Sequence, residues 1–256
     1  MQKIKSFTVA ATLVGALLGG ATAWAGDTIR PIDGCGTLTA RDQSSYILVN
    51  SIQTNNLNCL IIESSNITID MNGFSIQGSG EGTGILAPTP VEGIKIRNGF
   101  VRNFAIGISL GGTGNVVEGV HVTNNTDTGM VLGASNLVDH VVAQANNRNG
   151  ILMTAAATVK NSTLRANGSN PESKGLSVGP GSTVTGNTIW ASVGTGLFAS
   201  LGSTVIGNTV FDSNPGVGIS VICPSNVQDN TATGNTIQNL TLNDGIGCNA
   251  VDNVAP

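Results

Sequence analysis

Short alternating stretches recur along the chain. Thr204-Val205-Ile206, Asn208-Thr209-Val210-Phe211 and Gly218-Ile219-Ser220-Val221 interleave aliphatic and small or polar residues, and small turn residues separate them. Alternation with a period of two over so few residues marks short half-buried strands, and these stretches carry no helical period. They also return at a fixed interval. A Gly followed by an aliphatic residue stands at Gly84-Ile85, Gly107-Ile108, Gly129-Met130, Gly150-Ile151, Gly175-Leu176, Gly196-Leu197 and Gly218-Ile219, with gaps of 23, 22, 21, 25, 21 and 22 residues. A second column, Val117, Val138, Val159, Val184, Val205 and Val227, has gaps of 21, 21, 25, 21 and 22. The long gap falls in the same repeat in both columns, which two unrelated patterns would not do.

Three short strands in about 22 residues make one coil of a parallel β-helix, whose rungs stack about 4.8 Å apart. A leucine-rich repeat of this length demands a denser Leu/Asn consensus, and a propeller blade needs about 40 residues or more. The expected fold is therefore an all-β solenoid of about eight rungs of 21–25 residues. The first Val column points inward, and so does a column five positions later: Val122, Ala143, Leu164, Ile189, Val210 and Ala232. Three positions after the first column come Val120, Val141, Ser162, Asn187, Asn208 and Asn230, which end as an asparagine ladder in a tight turn. Asn125, Asn146, Asn167, Ser192, Ser213 and Asn235 form a further polar column. Both are structural.

Composition narrows the class. Of 256 residues, 35 are Gly and 28 are Asn, only 10% are charged, and 40% are hydrophobic. That is too apolar for a Gly-rich disordered linker, and Gly does not fall on every third position as collagen requires. No Lys/Arg run is present to neutralise phosphates, so a nucleic-acid partner is not expected. Residues 1–25 read as a secretory signal peptide: Lys3 and Lys5 give the basic start, Phe7 to Leu18 the apolar stretch, and Ala23-Trp24-Ala25 the small residues before a cut ahead of Gly26. That apolar run is shorter than the about 20 residues of a spanning helix, and no later segment is apolar enough to span. The expected product is an exported single domain, residues 26–256, periplasmic or extracellular, with 9 basic and 15 acidic residues. Residues 27–46 and 236–256 are expected to cap its two ends.

Four cysteines suit an oxidising compartment. Cys35 and Cys59 are 24 positions apart and Cys223 and Cys248 are 25, so this pairing is favoured among the three connectivities, with four buried thiols as the alternative. There is no Cys-x-x-Cys and neither histidine lies near a cysteine, so no metal site or cofactor is expected.

Laid out in rungs, the chain resembles the right-handed parallel β-helix repeat proteins of the pectin-lyase-like superfamily. Its N-terminal part resembles a group of exported bacterial members. The resemblance rests on Cys35-Gly-Thr-Leu-Thr, then Cys59, then Asn66-Ile-Thr-Ile-Asp70-Met-Asn72-Gly73-Phe74. It implies a right-handed solenoid and a superfamily that includes lyases, polygalacturonases, epimerases, carbohydrate-binding modules and adhesins. The sugar-cleaving relatives carry Asp, Glu, Arg or Lys on the outer face of one sheet. Here the strand opened by the recurring Gly presents Ser109, Val131, Leu152, Ser177, Phe198 and Ser220, none of them ionisable.

Charge falls on another face. The position after the first Val column reads Asp70, Arg97, Glu118, Asp139, Lys160, Thr185, Ile206 and Gln228, with His121 and His140 close by. Glu118 and Asp139, one rung apart, could form an acid/base pair with the two imidazoles. They could also bind a divalent metal, and the plainer alternative is an exposed charge ladder that keeps a sheet face wet. Trp190 and Phe211 share an outward column with Arg165, a candidate surface for stacking a sugar ring from a polysaccharide or cell-surface glycan. The loop Asn167 to Lys174, inside the 25-residue repeat, is the one protrusion among the central turns. The resulting expectation is a non-catalytic surface or carbohydrate-interacting module. A carbohydrate-active enzyme using Glu118 and Asp139 is the first alternative, and an adhesin-like module that binds protein along Val131, Leu152 and Phe198 is the second.

Overall fold

The computed structural model describes residues 29–39, 44–243 and 246–256. The expected signal peptide lies outside them. All regular structure among the described residues is β-strand, and the strands pair in parallel with counterparts one turn away. One turn shows the plan. Leu137–Asp139, Val142–Gln144 and Asn149–Met153 follow one another, and the next turn sets Val159 beside Val138, Leu164 beside Ala143 and Leu176 beside Ile151. The first two strands of each turn join an 18-stranded sheet, because the longer strands Lys95–Arg102 and Val116–Thr123 run through both positions. The third strands build a separate ten-stranded sheet.

Ten strands in that sheet mean about ten turns, against the eight expected from sequence. The Gly-aliphatic marker undercounts because it is missing from three turns. Register places Cys35 and Cys59 in the column of Gly84, and Asn239 in the column of Gly218. The glycine column thus begins as a disulfide: Cys35 and Cys59 are bonded across adjacent turns with their Cα atoms 4.4 Å apart. Cys223 and Cys248 form the second disulfide, so the spacing-favoured pairing holds.

Corners between strands are made by residues in the left-handed region. Asn98, Gly119, His140, Asn161, Gly186, Gly207 and Asp229 turn the chain between the first and second strands, all with φ between 50° and 64°. Asn, Asp and Gly tolerate this conformation best, which explains their recurrence in the column. The recurring glycines of the ten-stranded sheet serve another purpose. None has a positive φ, but a Cβ on Gly129 or Gly150 would lie 2.5 Å from the carbonyl oxygen of the glycine one turn on. Close approach of successive backbones, not torsional freedom, selects glycine there.

Both aliphatic columns are buried at 0–1% exposure and fill the interior. The ladders then satisfy the corners. Asn208 accepts from the backbone N–H and the Nδ2 of Asn187, and its own Nδ2 donates to the Val184 and Ile206 carbonyls and to Asn230 Oδ1. Asn125, Asn146 and Asn167 are linked in the same way. In that column Ser192 and Ser213 interrupt the chain of amides, and their buried hydroxyls have no hydrogen-bond partner among the described residues. A third ladder, not read from the sequence, runs two positions before the first Val column. Asn115, Asn136, Ser182, Ser203 and Ser225 are all buried there, and each of the last four accepts a backbone N–H from the preceding turn.

Residues 27–46 and 236–256, expected as caps, contain strands within their described parts. Arg30–Ile32 and Gly36–Leu38 lie in the first segment, Gln238–Asn243 and Asn249–Val251 in the second. They pair in the same parallel sense as the inner turns.

Candidate functional site

Three outward features arise from this scaffold. The first is the charged column, which register confirms turn by turn: Asp70 beside Arg97, Arg97 beside Glu118, Glu118 beside Asp139 and Asp139 beside Lys160. Adjacency does not make Glu118 and Asp139 a carboxylate pair, because each is matched to its own cation. Lys95 Nζ lies 3.1 Å from Glu118 Oε2, and Lys160 Nζ lies 3.3 Å from Asp139 Oδ2. Arg97 holds Asp70 in the same way at 3.0 Å. Burial alone would raise the Asp139 pKa. The Asn161 amide, Lys160 and His140 outweigh that and hold it below the usual carboxylate range.

The two histidines part company. His140 turns a corner with φ 51°, and its Nδ1 lies 2.7 Å from Asp139 Oδ1. His121 sits on the sheet with its ring 4.7 Å from that of Phe100, and register places it beside Val142 rather than His140. Burial lowers its pKa. A base whose folded pKa is depressed favours the folded state most above its unfolded value of about 6.5, and that contribution is lost as pH falls through the folded value. The thermal midpoint should therefore decline as the pH falls below about 6.5, with the Asp139 contribution still intact because it disappears only below about 3.9. His121→Phe should remove part of the decline. Parallel melting curves for the two proteins across that range would disprove this role.

The second feature is the column Arg165, Trp190 and Phe211, on consecutive turns in direct register. The Trp190 and Phe211 rings are 5.7 Å apart with planes inclined by 13°, and the Arg165 guanidinium lies 5.1 Å from the Trp190 centroid. Touching aromatic planes are separated by about 3.5–4 Å. At 5.7 Å the two near-parallel rings are not in closest contact, and Trp190 stands between Arg165 on the preceding turn and Phe211 on the following one. Phe211 is 36% exposed.

The third was only half legible. The Asn167 to Lys174 loop leaves the solenoid after the strand Thr163–Arg165 and returns at Lys174–Val178. Against the ten-stranded sheet it walls a groove of about 620 Å³, with Arg148, Asn149, Leu152 and Ser177 among its other lining residues. The sequence marked the loop but not Arg148 or Asn149, which belong to the preceding turn. The available signal was the register: Lys174 stands beside Asn149, in the position just before the recurring glycine.

An all-β parallel solenoid closed by disulfides, with no ionisable residue in the outward column of its ten-stranded sheet from Ser109 to Ser220, defines the class. Residues 84–254 match the family described as "Periplasmic copper-binding protein (NosD)", and the chain belongs to this periplasmic family. No curated protein matches it in sequence. Its structure is similar to the mannuronan C-5 epimerase AlgE4 A-module of Azotobacter vinelandii, with a TM-score of 0.58 and 14% identity over 88% of this chain and 82% of that one. It is also similar to an alginate lyase from Paenibacillus sp. FPU-7, with a TM-score of 0.51 and 12% identity over 89% and 87%. At such identities the likeness is one of fold.

The family's description raises the question of copper. Copper sites draw on thiolate, thioether and imidazole donors. Here all four cysteines are in disulfides, and Met71, Met130 and Met153 are buried in the core at 0–2% exposure. Among the described residues no three His, Cys, Asp or Glu side chains converge to hold a metal. These residues do not fit a copper centre.

Proposed function

We propose that the chain is an exported, non-catalytic β-helix module that holds carbohydrate on its outer surface, released to the periplasm or beyond by cleavage near Ala25. The outward Trp190–Phe211 pair, with Phe211 exposed and Arg165 beside Trp190, carries this reading. Exposed aromatic rings pack against the C–H groups of sugar rings, and a neighbouring guanidinium donates to ring hydroxyls. The carboxylates best placed for acid/base work, Glu118 and Asp139, are engaged by Lys95, Lys160 and His140. That favours a structural charge ladder over an active site. The mannuronan epimerase and the alginate lyase are enzymes on a similar fold, but fold does not carry activity with it.

The test is a glycan array followed by titration calorimetry, with product release assayed in parallel. Binding without turnover is expected, weakened at least about ten-fold by Trp190→Ala. A Glu118→Gln/Asp139→Asn variant should bind as the wild type does. Release of reducing or unsaturated ends that stops in the double variant would make the protein an enzyme and end this reading.

A further inference from the structure

The groove beside the Asn167–Lys174 loop has its own chemistry. Arg148 approaches from the turn below and Lys174 from the base of the loop. Among the described residues neither has a carboxylate within ion-pairing distance, although every cation of the charged column has one. The Lys174 ammonium is positioned by the Glu172 carbonyl oxygen at 3.1 Å and by the Phe198 ring, 5.7 Å from its centroid. Leu152 and Ser177, outward neighbours in register on adjacent turns, form an apolar and a hydroxylic patch on the floor. Asn170 and Glu172 supply further polar groups on the loop side.

We propose that this groove binds an acidic oligosaccharide, one that carries carboxylates on its sugar rings. Two cations without protein counter-ions beside a polar, partly apolar floor suit a ligand that brings negative charge, hydroxyls and C–H faces together. A peptide suits it less. An extended peptide is normally captured by backbone pairing at a sheet edge, and both strands here, Asn149–Met153 and Lys174–Val178, are already paired on both sides. A nucleic acid would require many more cations than two. The volume of about 620 Å³ is in the range of small-ligand sites, so the groove would hold a short segment of a longer chain. None of the groove's lining residues belongs to the Trp190 column, and the groove extends the carbohydrate reading to a second surface.

Calorimetry on the purified protein, with tetragalacturonate and tetramannuronate as probes, decides the matter. Each is compared with the same oligosaccharide after reduction of its carboxyls to hydroxymethyl groups. At least one acidic probe should bind, and its reduced form should bind at least ten-fold more weakly. Arg148→Gln and Lys174→Gln should each weaken binding about ten-fold, in line with loss of a hydrogen bond to a charged group. Glu172→Gln, which removes the like charge, should tighten it, and added salt should weaken it. Trp190→Ala should leave it unchanged, so loss of the aromatic-column reading would not imitate loss of this one. Unaltered thermal melts would show that the variants are folded. The proposal falls if neither acidic probe binds at millimolar concentration, if the reduced forms bind equally well, or if the Arg148→Gln/Lys174→Gln double variant binds like the wild type.

Discussion

Asn208→Ala should cost about 4 kcal/mol, from at least two buried polar groups left unpaired at about 1–3 kcal/mol each. Asn208 is fully buried, and its amide completes bonds with three successive turns. Alanine strands the Asn187 backbone N–H, removes the acceptor for Asn187 Nδ2, and takes a donor from the Val184 carbonyl. A serine should be milder. Ser162 occupies the same column, accepts the Val141 N–H with its hydroxyl and donates to the Lys160 carbonyl. Aspartate should be the most damaging, because a carboxylate would meet the Val184 and Ile206 carbonyls and Asn230 Oδ1 where an amide now donates. Thermal melts of the three variants should rank Ser above Ala above Asp. An alanine variant within about 1 kcal/mol of the wild type would show that the ladder is not structural.

Gly150→Ala tests the close approach of turns. The new Cβ would lie 2.5 Å from the Gly175 carbonyl oxygen and 2.8 Å from Asn167 Nδ2. Neither can retreat easily, since one is backbone in a paired strand and the other is held in an asparagine ladder. Overpacking of this kind costs about 3 kcal/mol, which for a chain of this size lowers the thermal midpoint by about 10 °C. Gly111 provides the control. A Cβ there meets nothing within 4 Å and the residue has no positive φ, so Gly111→Ala should melt with the wild type. Equal midpoints for the two variants would mean that the glycine column has some purpose other than spacing.

Much of this architecture was legible because a solenoid converts sequence period into spatial contact. Val117 through Val227 could be placed in one interior column by counting, and register matches that placement residue for residue. Counting falls short where the marker changes identity: Cys35, Cys59 and Asn239 stand in glycine positions, so the marker is missing from three of about ten turns. The Asn115 ladder is not legible in the sequence because four of its six positions hold small residues: Ala157, Ser182, Ser203 and Ser225.

At the candidate sites, columns were easier to foresee than partners. Arg165, Trp190 and Phe211 align as expected. The pairing of Glu118 with Lys95 depended on side-chain reach across the strand, two positions out of register. No column count reveals that. The corner position of His140 likewise depends on a backbone torsion. The place of Arg148 in the groove is not legible by counting, because the loop that completes the lining comes from the following turn.

The pairing of each turn with its immediate neighbours has a mechanical consequence. Drawn out by its ends, such a molecule yields by peeling, one turn at a time, instead of breaking in a single event. Every released turn of 21–25 residues lengthens the chain by about 70–85 Å. The bonds Cys35–Cys59 and Cys223–Cys248 each clamp a segment of that size. An oxidising environment therefore shortens the extensible length of the coil at two places, and reduction restores it.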